Sequence, residues 1–116
     1  MAKRPPTADG WYAARAVFTH EGLRPRRGRK RVYEERIVLL RAANERDAMR
    51  RGEREAAEYV KAHDGVAYIG FMETFHLFES RIRSGSEVFS LMRSSSLTPP
   101  RFLSRYLDDG SERRRK

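Results

Sequence analysis

The longest apolar, β-prone run in the chain, Val66-Ala67-Tyr68-Ile69-Gly70-Phe71-Met72-Glu73-Thr74-Phe75-His76-Leu77-Phe78, constrains the fold more than any other stretch. Strand alternation separates Tyr68, Met72, His76 and Phe78 from Ile69, Phe71, Phe75 and Leu77. Both sets are largely apolar, so the run reads as a central strand that needs cover on each side. With 116 residues the chain has room for one domain and one hydrophobic core, so that cover must come from very few elements.

Those elements can be read in order. Residues 1–10 hold two prolines and no apolar periodicity, and read as a disordered leader. Trp11 to Thr19 is aromatic and β-branched at its ends with alanines between, a strand whose small middle lets another backbone come close. Gly22, Pro25 and Gly28 mark His20 to Lys30 as a long loop, and Arg31 to Arg41 then alternates as a second strand. From Ala42 to His63 the apolar period lengthens to that of a helix, with Ala48, Gly52, Ala56, Tyr59 and Val60 on one face. Asn44 is the expected N-cap, Glu45 and Asp47 sit in the first turn, and Asp64-Gly65 is the stop. Gly52 inside a helix costs about 1 kcal/mol against Ala, which predicts close packing of that turn over the alanines of the first strand. Beyond the long run, Arg83-Ser84-Gly85-Ser86 is expected to turn into a shorter fourth strand, Glu87 to Met92. Ser94 to Leu107 reads as a linker and a short amphipathic helix entered through Thr98-Pro99-Pro100, and residues 108–116 as a disordered basic tail.

The order is β-β-α-β-β over residues 11–93, an α+β domain whose expected core is a four-stranded antiparallel sheet ordered 2-1-3-4. One long helix covers one face. The apolar residues on the other face call for the C-terminal helix folded back, a second copy of the chain, or another protein.

Several stretches together resemble a small bacterial family known as domain of unknown function 4288: Trp11-Tyr12-Ala13-Ala14 opening a strand, Glu34-Glu35 before Ile37-Val38-Leu39, a helix entered through Asn44 to Ala48, and Ser84-Gly85-Ser86-Glu87-Val88-Phe89-Ser90. The resemblance spans about Trp11 to Met92 and implies a β-β-α-β-β domain with no assigned activity. The dense arginine loop departs from that family's pattern, so any role for it is particular to this chain.

Charge and composition narrow the function classes. The chain carries a net charge of +9, and more than half of that excess lies in Arg24, Arg26, Arg27, Arg29, Lys30 and Arg31, opposed by Glu21 alone. Six cations on a loop are suited to phosphate, which makes a nucleic-acid-binding accessory protein one expectation. No aromatic residue interleaves them for base stacking, so the competing reading is a solvated loop. With no cysteine, disulfides, thiolate metal sites and cysteine nucleophiles are excluded. The three histidines, His20, His63 and His76, lack metal-ligand spacing, no cofactor motif occurs, and no apolar run reaches the roughly 18 residues of a membrane span. A cytoplasmic protein follows as the default.

Glu35, Glu73 and Glu87 lie on or beside the expected sheet and could form a carboxylate site, against the plainer reading that they pair with Arg15, Arg36 or Arg83 across strands. Trp11, Phe102, Leu103, Tyr106 and Leu107 are the candidate interface residues. The leading expectation is a non-enzymatic protein-interaction domain, dimeric through its sheet or C-terminal helix.

Overall fold

A computed structural model describes residues 10–21 and 31–107; the leader, the basic loop from 22 to 30 and the tail from 108 lie outside the described residues. The elements are β1 (Gly10–His20), β2 (Val32–Ala42), α1 (Glu45–Ala62), β3 (Val66–His76) and α2 (Pro99–Tyr106). The strands make one antiparallel sheet in the order β2-β1-β3, with α1 laid across one face.

The central strand is β1, not the long apolar run. All eleven residues of β1 pair with β2, from Gly10 opposite Ala42 to His20 opposite Val32, and its other side pairs with β3. The long run becomes an edge because the expected fourth strand is absent: among the described residues, Glu87 to Met92 forms no ladder. The turn before it explains why. Ser86 donates its backbone N–H to Arg83 at 3.0 Å and Gly85 has φ +89°, the type II arrangement with glycine in third place. A type II turn twists against the natural twist of paired strands and splays its flanks. The chain instead returns over the sheet face opposite α1, where Phe89 lies 5.9 Å from Phe75 between ring centres.

Small residues dictate how α1 seats. Ala16 on β1 clusters with Ala56 on the helix, Ala48 clusters with Tyr12 and Ala42, and between them a Cβ added at Gly52 would lie 3.3 Å from Ala14 Cβ. The expected close approach of Gly52 over the alanines is therefore the observed one. Around this flat centre the core divides in two. Phe18, Tyr59 and Val66 close one end with Val60, Tyr68 and Met72, and Tyr12, Ala42, Ala48 and Leu40 close the other. Burial, aided by the carboxylate of Glu53, pushes the Tyr68 phenol up to about 12.

Helix entry follows the expected pattern. Asn44 caps α1 by accepting the Asp47 backbone N–H at 2.8 Å, and the Asp47 carboxylate accepts the Ala43 N–H at 2.9 Å and pairs with Arg50 and Arg51. The Ala43 N–H first, then the two guanidiniums, lower the Asp47 carboxyl from 3.8 to about 2. Since the folded value lies below the ordinary one, the contribution is complete above about pH 4 and is lost as pH falls towards 2. Urea midpoints measured from pH 5 to pH 2 should drop across this window, and Asp47→Asn should flatten the drop; an unchanged acid limb in the variant would show that other carboxylates control it.

Candidate interaction surface

Even-numbered residues of β1 and β2 face α1 and odd-numbered ones face away, so the sheet has two sides of different chemistry. On the α1 side, Glu34 sits between two donors: His20 Nε2 lies 2.7 Å from Glu34 Oε1, and the Tyr59 hydroxyl donates to the same oxygen at 2.7 Å. Arg36 grips Glu55 of the helix with both terminal nitrogens, at 2.7 and 2.8 Å, and its guanidinium carbon lies 3.9 Å above the Tyr59 ring. The hydrogen bond to Glu55 raises the Arg36 guanidinium above its ordinary value. His63 completes the group, its ring 4.6 Å from that of Tyr59 and its Nδ1 2.9 Å from the Tyr59 carbonyl oxygen. This network locks the end of α1 to the strands, because each charge is paired across the layer.

The opposite side is organised around Arg15; Ala13 and Thr19 of the central strand are buried there, while the outer strands β2 and β3 expose large side chains. The Arg15 guanidinium donates to Glu35 at 2.6 Å on one side and to Glu73 at 3.1 Å on the other, joining β2, β1 and β3 in one row. Phe71 and Phe89 stand 5.6 and 5.9 Å from the guanidinium carbon. The hydrogen bond to Glu35, then that to Glu73, raises Arg15 above its ordinary value against the opposing effect of burial. Two of the three candidate carboxylates are thus brought together, but with a guanidinium between them, which fills the space an acid–base pair would need around a substrate. Glu87 is exposed and does not join this row.

Flanking this polar row are large side chains exposed to water. Tyr33, Ile37 and Leu39 project from β2, and Ile69 and Phe71 from β3, each between 40% and 59% exposed. Trp11, at the end of the same side, is half-buried beneath Arg41, whose guanidinium carbon lies 5.2 Å from its ring.

The C-terminal helix does not cover this side. α2 forms where the sequence places it, after Thr98 and with proline at its start, yet it packs on no strand and not on α1. Folding back is therefore overturned for the described residues. Its apolar stripe is left bare, with Leu103, Tyr106 and Leu107 all exposed and Phe102 half-buried against Tyr106. The reason lies in the tether: the chain from Leu77 to Leu97 has no regular structure in which to anchor the helix on the sheet.

Of the basic residues singled out in the sequence, Arg24, Arg26, Arg27, Arg29 and Lys30 lie outside the described residues, and Arg31 is exposed where β2 begins. The His20–Glu34–Tyr59 group was not visible in the sequence. Alternation alone puts His20 and Glu34 on faces of two strands, but only the register, with Phe18 opposite Glu34, brings them to the same face and the same end. No helix among the described residues is long and apolar enough to cross a membrane, and they contain no cluster of three potential metal ligands. Compared with protein-family models, curated proteins and solved structures, the chain matches none.

Proposed function

We propose that this chain is a small, non-enzymatic interaction domain that associates with itself, using the apolar side chains exposed on the side of the sheet that α1 leaves bare. The observation that carries this reading is the set Tyr33, Ile37, Leu39, Ile69 and Phe71, five large apolar residues open to solvent on one side of a three-stranded sheet. Scattered apolar residues are ordinary on a surface, but two groups of large apolar side chains on one side of a sheet, flanking a charged row, support a contact surface. The exposed stripe of α2 supports the same reading, since among the described residues this second amphipathic element packs on no strand and not on α1. The resemblance to the bacterial domain of unknown function 4288 belongs to this proposal and implies the fold without an activity.

Covering half-exposed side chains of this size contributes on the order of 1 kcal/mol apiece, which must exceed an association cost of roughly 4–15 kcal/mol. Five such side chains from each of two copies give about 10 kcal/mol, which against the low end of that cost leaves about 6 kcal/mol, a dissociation constant in the tens of micromolar. Size-exclusion chromatography with light scattering from 1 to 100 µM, values chosen to bracket that range as an order-of-magnitude window, should give a mass rising towards twice 13.6 kDa. A constant monomer mass across the series would sink the proposal.

A further inference from the structure

The geometry points to the outer edge of β2 as the contact, pairing antiparallel with the β2 of a second copy about a two-fold axis through Ile37; this rests on the self-association proposed above. The two edges of the sheet are built differently. In β3 the ladder breaks opposite Val17, where Ile69, Gly70 and Phe71 oppose that one residue and Gly70 takes φ +87°. Such a bulge twists an edge away from further pairing. β2 has no such bulge, and its charges, Glu34, Glu35, Arg36 and Arg41, are of both signs. Its eleven residues run without bulge, proline, glycine or lysine, and among the described residues nothing pairs with their outer side.

The sequence of β2 is also self-complementary. An axis perpendicular to the sheet through Ile37 sets Glu35 against the partner's Leu39, Glu34 against the partner's Leu40, Arg36 against the partner's Val38 and Tyr33 against the partner's Arg41. Every residue of the strand then has an opposite number and no two like charges face each other. Moving the axis to Arg36 sets the two guanidiniums against one another, and moving it to Val38 leaves Val32 and Tyr33 without opposites. The Ile37 register also places the exposed Tyr33, Ile37 and Leu39 of both copies in one continuous stripe, on the side away from both helices.

Ile37 is 46% exposed, so charge there should leave the monomer folded, which urea midpoints check. By light scattering, I37E and I37K should each weaken the dimer about tenfold or more, because like charges meet on the axis. An equimolar mixture of the two should restore it as a heterodimer. I69E, a charge on the same apolar side but at the opposite edge, should weaken the dimer less than I37E does. Because the chain has no cysteine, I37C should form an intermolecular disulfide under mild oxidation while I69C does not. If the natural chain dimerises but I69E disrupts it as strongly as I37E, or the mixture fails to rescue, edge pairing is overturned in favour of face-to-face packing and self-association stands. A natural chain that is monomeric removes both.

Discussion

Phe18→Ala should cost about 3–5 kcal/mol of folding stability, a large share of the roughly 5–15 kcal/mol that holds a domain of this size together. Among the described residues Phe18 is the largest fully buried side chain, at 0% exposure, and it stands in β1 where Tyr59 of α1 and Tyr68 of β3 both meet it. Its ring meets Tyr59 edge-on at 4.9 Å and Tyr68 at 5.6 Å. The alanines beside it cannot swell to fill the space, and Tyr59 is tied through its hydroxyl to Glu34, so the cavity should stay open. Phe78→Ala is the matched control: Phe78 belongs to the long apolar run yet is 89% exposed, and its loss should change stability by no more than about 0.5 kcal/mol. Urea midpoints for the two variants decide it, and similar values would show that the core is not centred on Phe18.

Gly52→Leu should be the second most damaging substitution, at about 1–3 kcal/mol through overpacking. Two effects oppose each other at this position, and their balance depends on side-chain size. Replacing a helical glycine gains about 1 kcal/mol of helix propensity with alanine. Against this, the added Cβ lies 3.0 Å from Met72 Sδ, the end of a flexible side chain, and 3.3 Å from Ala14 Cβ, which is fixed in the central strand. Met72 can swing aside for a methyl group, so Gly52→Ala should be nearly neutral. It cannot make room for an isobutyl group without lifting α1 off the strand. A thermal scan of both variants separates the cases, and a stabilised Gly52→Leu would mean that the helix is free to shift on the sheet.

The same tight seating accounts for the open side of the molecule. Because α1 lies so close on alanines, it spends its apolar surface on β1 and β3 and leaves the far side to other cover. Among the described residues that cover comes from Phe89, which lies on Phe75 and the Arg15 row, while α2 packs on no strand. The Arg15–Glu35–Glu73 row then acts as a polar spine that ties the three strands together without asking for a substrate. The exposed apolar residues lie on either side of it, with those of β2 next to an edge that nothing pairs with among the described residues.

Much of this was legible in the chain itself. The strands β1 and β2, the helix with its Asn44 cap and glycine seat, the stop at Gly65, the turn at Gly85 and the short proline-led helix all follow from local rules, because alternation, capping and positive φ are settled by neighbours in sequence. Arg15 among the carboxylates was also within reach, as one of the few cations on a strand expected beside them. What only the tertiary structure decided depends on distance rather than sequence. Whether Glu87 to Met92 would pair rested on the twist of a turn, whether α2 would fold back rested on an irregular tether, and the meeting of His20, Glu34 and Tyr59 rested on a register between strands. The apolar run from Val66 to Phe78 shows the division most plainly: its sequence determined that it is a strand with two apolar faces, but only the tertiary structure decided that it pairs on one side and so becomes an edge, and that α1 covers one of its faces while α2 packs on neither.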